Sequence, residues 1–173
     1  IRFWLDMGVD GFREDVITFI SKKEGLPNGF PIPVACGMEH YKCGPHLDEY
    51  LTEFRKVTDN YDCMTVGEAP MMTPKLALRF IKEGPKQTLN MMFNFQHMEA
   101  DSFMVSWVPM PFSLKKLKNA YNRWQKKLYG IAWNANYIEN HDQPRIISRY
   151  GDEKYRVESG KMLATMYICQ SGT

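Results

Sequence analysis

The sequence predicts an α/β protein built on a parallel sheet, and three observations carry that prediction. Short apolar runs alternate four times with amphipathic stretches at helical spacing, the pattern of strand–helix units that feed neighbouring parallel strands. The helical stretches carry start and stop signals in the right places, with Thr73-Pro74 before one and Ser113 before another. Three of the four apolar runs also finish on a carboxylate, Asp15, Glu68 and Asp142. In a barrel of parallel strands the C-terminal strand ends converge on the face where active sites are built.

Taken in order, the chain opens at Ile1 on an apolar, helix-like pattern with no initiator Met, and both ends read as cuts in a longer protein. The first apolar run covers residues 11–16 and is followed by a Gly- and Pro-rich loop over 25–44. Pro45, at a first helical position, is expected to open a helix with Leu47, Tyr50, Leu51, Phe54 and Val57 on one face. The second run, 63–68, comes next. Thr73 as N-cap, Pro74 as first residue and Gly84 past the last turn bracket a short helix through Leu76, Phe80 and Ile81. The third run, 89–95, leads through a loop with Pro109 and Pro111 to Ser113, which caps a helix closed by Gly130. Leu114, Leu117, Tyr121, Trp124 and Leu128 share one face of that helix. A fourth run, 131–140, and a last helix over 157–169 complete four consecutive units, without internal repeat or low-complexity tract.

Composition limits the function classes. A content of 44% hydrophobic and 24% charged residues is that of an ordinary globular chain. The net charge of +2 comes from basic residues spread along the chain rather than gathered in a stripe, so nucleic acid is not an expected partner. No apolar run reaches the roughly 18 residues that span a bilayer, and a membrane is not an expected partner either. Cys36, Cys43, Cys63 and Cys169 form no Cys-x-x-Cys pair and have no run of histidines beside them. They predict neither a metal site nor a redox motif, and free thiols in a reducing cytoplasm are expected. No cofactor is called for.

The carboxylates point to chemistry. A lone acid at a strand end is commonly a helix N-cap or the partner of a surface Arg, but like charges that converge cost free energy and are tolerated mainly where chemistry uses them. Arg13, two residues before Asp15, shares its strand face and can hold a carboxylate ionised. Cleavage of a glycosidic bond needs one carboxylate to attack the sugar carbon and one acid to release the leaving oxygen. His141, beside Asp142, is placed to donate to a sugar hydroxyl.

These residues resemble a known family. Gly11-Phe12-Arg13-Glu14-Asp15-Val16 resembles the nucleophile strand of the α-amylase superfamily, and Val66-Gly67-Glu68 resembles its acid/base strand. Glu139-Asn140-His141-Asp142-Gln143-Pro144-Arg145 is similar to the strand carrying its transition-state carboxylate, and Gly172-Thr173 resembles the approach to the eighth strand. Within the superfamily the similarity is to the oligo-1,6-glucosidase and α-glucosidase group. Val16 after the nucleophile is similar to the residue of members that favour α-1,6 bonds, and the Lys-His pair that follows this strand in calcium-dependent amylases is missing, the chain reading Val16-Ile17-Thr18-Phe19. Two positions depart from the pattern. Glu14 stands where an apolar residue is usual, its charge expected to pair behind the barrel rim, and Asp48 stands where His is usual.

The resemblance implies that residues 1–173 are a single piece of a TIM (β/α)8 barrel, approximately strands four to seven with their helices. It implies a retaining, exo-acting α-glucosidase for short α-glucosides, with Asp15, Glu68 and Asp142 catalytic. Arg13, His141, Val16 and Arg145 would contact or shape the substrate site. The implied partner is a small oligosaccharide, with no metal. A trehalose-6-phosphate hydrolase, with Lys22-Lys23 or Arg145 in a phosphate site, and a catalytically silent binding subunit are the alternatives.

Overall fold

The computed structural model describes residues 1–103 and 105–173. A short helix α1 (Arg2–Asp6) leads into β1 (Gly11–Glu14), and a single turn of helix α2 (Met38–Tyr41) interrupts the long loop before α3 (Leu47–Thr58). Strand β2 (Met64–Glu68), helix α4 (Pro74–Ile81) and strand β3 (Met91–Phe93) follow. A hairpin of β4 (Ser102–Phe103) and β5 (Val105–Pro109) precedes the long helix α5 (Leu114–Leu128), and α6 (Ile146–Tyr150) and α7 (Arg156–Ile168) close the chain.

β1, β2 and β3 form one parallel sheet in that order. The register places Arg13 beside Val66, Glu14 beside Gly67 and Glu68 beside Phe93. With a period of two, Arg13, Val66, Glu68 and Met91 take one face and Glu14, Gly67 and Met92 the other. The first face carries a small cluster of Val66, Met91 and Ala135 with Phe93 against it. The second is covered by α3, α4 and α5, whose Leu47, Leu51, Phe80, Ile81, Trp124 and Leu128 are buried in the main core. Gly11 and Gly67 permit the close approaches this needs. A side chain on Gly11 would run into the Met64 carbonyl, and one on Gly67 would meet Ile17 and Leu89 methyls at 2.8 Å.

The punctuation of α4 and α5 is as the sequence predicts. Thr73 Oγ1 accepts from the Leu76 N–H and Ser113 Oγ from the Lys116 N–H, each at 3.3 Å, and such a cap contributes about 1 kcal/mol. Pro45 is different: it lies in the turn before α3, and His46 occupies the N-cap. Asp48 on α3 has a defined partner, because Arg79 of α4 donates through Nε to its Oδ1 at 2.9 Å and through Nη2 to its Oδ2.

Two predictions about the second half need correction. The fourth run does not form a regular strand: Ala135 makes an isolated parallel bridge to Phe93, and the rest of 131–140 is irregular. Its other side is only begun, by Thr173, which donates to the Asn134 carbonyl at 2.9 Å while its own carbonyl accepts from Asn136 N–H at 2.7 Å. A segment paired at so few positions lacks the ladder that holds a strand extended. The loop predicted before Ser113 contains the antiparallel β4–β5 hairpin instead. No helix among the described residues is long and apolar enough to cross a membrane.

Candidate active site

The site begins at the C-terminal end of β1, where strand alternation puts Arg13 and Asp15 on the same side. Arg13 Nη1 donates to Asp15 Oδ1 at 2.6 Å, and Nη2 of the same guanidinium donates to Glu68 Oε2. One cation therefore ties together the carboxylates that end β1 and β2. Asp15 is exposed whereas Glu68 is 8% exposed, so the two sit in different dielectric surroundings.

That difference sets the electrostatics. Burial pushes the Glu68 carboxyl above its ordinary value against the pull of Arg13, and the neighbouring Asp15 carboxyl adds to the rise. A backbone hydrogen bond from Val16 also opposes it. Val16 stands in the left-handed region at φ 36° and ψ 41°, an unfavourable conformation for a β-branched residue. The chain accepts that strain at the turn that follows Asp15, where the Val16 amide meets Glu68.

Glu68 and Arg13 open into a cleft of about 390 Å³ lined also by Phe93, Phe95, Tyr137 and His141. The Tyr137 ring packs edge-on against Phe93 and Phe95, with centroids 5.5 and 5.9 Å away, and makes an apolar wall opposite the carboxylates. The pairing of an apolar wall with a few convergent polar groups is the usual make-up of a small-molecule site.

The remaining predicted residues are distributed around this centre. His141 lines the cleft, and its Nε2 is 3.5 Å from Asp142 Oδ2. Asp142 itself is exposed in a turn at the cleft's edge, where its amide donates to Asn140 Oδ1 at 3.0 Å. Arg145 is turned away into an ion pair with Glu139 at 2.5 Å, and Glu139 also accepts from the Ile146 N–H at the start of α6. The structure thus gathers Arg13, Asp15 and Glu68, brings His141 to the same cleft, leaves Asp142 one residue outside it, and sets Arg145 apart. The aromatic wall was not expected, because Phe93, Phe95 and Tyr137 lie on apolar runs where an aromatic residue needs no functional reason. The one available signal was the alternation of Phe93 and Phe95, which repeats a single strand face.

Glu14, on the opposite face, does not find the partner expected for it: both carboxyl oxygens are buried without a hydrogen bond among the described residues. No three of His, Cys, Asp and Glu among those residues gather as a metal site, and all four cysteines are unpaired.

The sequence pattern of a family described as alpha amylase, catalytic domain, matches residues 1–173. The chain belongs to the α-amylase family. Its three-stranded parallel sheet and covering helices are part of that family's TIM-barrel catalytic domain. It is 49% identical to an oligo-1,6-glucosidase of Parageobacillus thermoglucosidasius, across 100% of this chain and 32% of the relative. A trehalose-6-phosphate hydrolase of Bacillus subtilis (strain 168) is 42% identical across 100% of this chain and 31% of its own length. The crystal structure of Bacillus licheniformis trehalose-6-phosphate hydrolase superposes with a TM-score of 0.88 at 41% identity, covering 99% of this chain and 31% of that one. The α-amylase-family segment described here therefore spans about a third of the length of these relatives.

Proposed function

We propose that the full-length protein is a retaining, exo-acting α-glucosidase of short α-glucosides, preferring α-1,6 linkages, and that this chain supplies approximately strands four to seven of its barrel as one continuous piece of the catalytic domain. The observation that carries the reading is the bridge from Arg13, which lines the cleft with Glu68, to both Glu68 and the exposed Asp15. It joins an exposed, cation-paired carboxylate to a buried one whose pKa is raised, and carboxyls held in such different surroundings are suited to nucleophile and acid roles.

In this reading Asp15 attacks the anomeric carbon as the bond to the leaving oxygen breaks and Glu68 gives that oxygen its proton. Water then attacks the glycosyl ester, Glu68 recovers a proton from it, and Asp15 leaves as carboxylate. Arg13 pairs with Asp15 and orients its carboxylate. His141 and Asp142 hold sugar hydroxyls, Asp142 closing onto the charge that develops at the anomeric carbon. Val16 shapes the wall beside the leaving group. Arg145, through Glu139, fixes the start of α6 and with it the turn that presents His141 and Asp142. The substrate is a small neutral oligosaccharide, and the unpaired cysteines suit a reducing, cytoplasmic setting.

A trehalose-6-phosphate hydrolase would use the same carboxylates and add a phosphate site. Lys22 is engaged with the Phe19 carbonyl at 2.9 Å, Lys22 and Lys23 line a separate groove with His40 and Tyr41, and Arg145 pairs with Glu139. These placements favour the neutral substrate. The test is turnover of isomaltose, maltose and trehalose-6-phosphate by the full-length protein, with product anomers followed by NMR. Release of α-glucose, lost by more than about a thousandfold in Asp15→Asn and Glu68→Gln, is expected. Release of β-glucose, or full activity in either variant, would reject the mechanism.

A further inference from the structure

Behind the aromatic wall lies a second, smaller space. It is lined by His97, Tyr121, Asn134 and Tyr137 among others and leaves about 10 Å³ for the centre of a water-sized sphere, the capacity for a single water molecule. His97 is 3% exposed and Asn134 5%. The His97 ring packs edge-on against Tyr137 and tilted against Tyr121, with centroids 4.7 and 5.2 Å away.

Four polar atoms of these residues, His97 Nε2, Tyr121 Oη, Asn134 Oδ1 and Tyr137 Oη, are buried without a hydrogen-bond partner among the described residues. Leaving one such group unsatisfied costs about 1–3 kcal/mol, and four around one cavity are not accounted for by chance misfit. Their hydrogen-bonding roles can be assigned. His97 Nδ1 lies 3.3 Å from Asn94 Oδ1, and in the tautomer that donates Nδ1–H to that oxygen Nε2 presents a lone pair. Burial lowers the His97 pKa to about 4, which keeps the ring neutral. Asn134 Oδ1 is an acceptor. Burial raises the pKa of both tyrosines, which stay protonated and can donate. Two acceptors and two donors are the complement of one water molecule, which donates twice and accepts twice.

We propose that His97, Tyr121, Asn134 and Tyr137 together hold one buried water molecule, and that this water positions the Tyr137 ring in the wall of the catalytic cleft. Tyr137 is the link between the two spaces: it lines the cleft with Glu68 and also lines the smaller space, and its hydroxyl is buried without a partner among the described residues. The water site stands on the cavity and its four atoms alone; its effect on turnover rests on the glycosidase reading above.

The test uses the full-length protein. A high-resolution crystal structure is expected to show one ordered solvent peak within about 3.2 Å of the four atoms; density showing those atoms bonded directly to one another overturns the site. Tyr121→Phe gives an independent sign. If the hydroxyl binds the water, its removal lowers the folded-to-unfolded ratio by about fivefold, whereas removal of an orphaned hydroxyl raises that ratio. The double variant Tyr121→Phe/Tyr137→Phe is expected to lose little more than the worse single variant, because both act through one water; losses that multiply fully overturn the shared site. For positioning, Tyr121→Phe, which lies outside the cleft, is expected to raise KM severalfold while kcat changes by less than about twofold, and His97→Gln, which retains an acceptor, is expected to stay nearer the parent than His97→Leu. Unchanged KM in Tyr121→Phe overturns the positioning role. A full-length protein with no glycosidase activity would defeat the proposed function, while the density and the unfolding ratios would still decide the water site.

Discussion

Glu14 offers a measurement whose sign follows directly from the fold. Strand alternation sends Arg13 into the cleft and turns Glu14 toward the helices, where both its oxygens are buried and unpaired among the described residues. Burial raises its pKa from the ordinary 4.5 to about 7. A carboxyl whose folded pKa lies above its unfolded value binds its proton more tightly in the native state. Its contribution to stability is therefore complete below pH 4.5 and is lost as pH rises toward 7. The loss amounts to about 3 kcal/mol at most, at about 1.4 kcal/mol for each tenfold change in proton affinity.

Glu14→Gln removes the titration while keeping the shape. Urea unfolding of the full-length protein, parent against variant, at pH 5 and pH 8 measures the effect. The two proteins should lie within about 1 kcal/mol of each other at pH 5, where the parent carboxyl is largely protonated, and the variant should be more stable by about 2–3 kcal/mol at pH 8. A difference that does not change with pH would refute the reasoning. So would a variant less stable at pH 8, which would mean that Glu14 is ionised against a cation contributed from elsewhere in the protein.

The other predictions concern the cleft and the core. Arg13 lowers the pKa of Glu68 against the upward push of burial, so Arg13→Met should raise that pKa further and move the basic limb of the kcat/KM profile to higher pH while activity falls; a basic limb that stays in place would remove Glu68 as the titrating acid. Val16→Thr keeps the β-branch and Val16→Ala does not, and both should shift the isomaltose-to-maltose ratio of kcat/KM toward maltose by no more than about 1–3 kcal/mol of discrimination; an unchanged ratio would exclude Val16 as the determinant. Val16→Gly should relieve the backbone strain at φ 36° and raise stability if strain alone is at stake, checked by Tm. Phe80 is fully buried in the core that covers the sheet, and Phe80→Ala should cost about 3–5 kcal/mol in urea unfolding.

What could be read without the structure follows the range of the forces involved. α4 and α5 were legible because a cap, a first-turn residue and a stop are all local: Thr73, Pro74, Ser113 and Gly130 act within one turn of the helices they mark. β2 was legible because burial of Thr65 to Glu68 leaves a short run closed by a single carboxylate, and β1 because its short run ends beside the charged residues Arg13 and Asp15. The fourth run carried a similar pattern, yet only Ala135 bridges to β3 and only Thr173 begins to pair on the other side. Whether such a run becomes a strand depends on neighbours distant in sequence, which its own residues do not record. The same distinction governs the site. Arg13, Asp15 and Glu68 could be singled out because charged residues at strand ends need a reason, whereas Phe93 and Tyr137 needed none. An aromatic residue on an apolar run is ordinary core until the geometry shows it lining a cleft beside a carboxylate with its hydroxyl buried, as Tyr137 does. Glu14 marks the opposite error: the sequence offered a charge, which suggested a partner, and the register beside Gly67 on the helix-covered face placed it where no described residue can supply one. Local chemistry therefore identifies which side chains the site needs, and long-range packing decides which of them are solvated, paired or neutral.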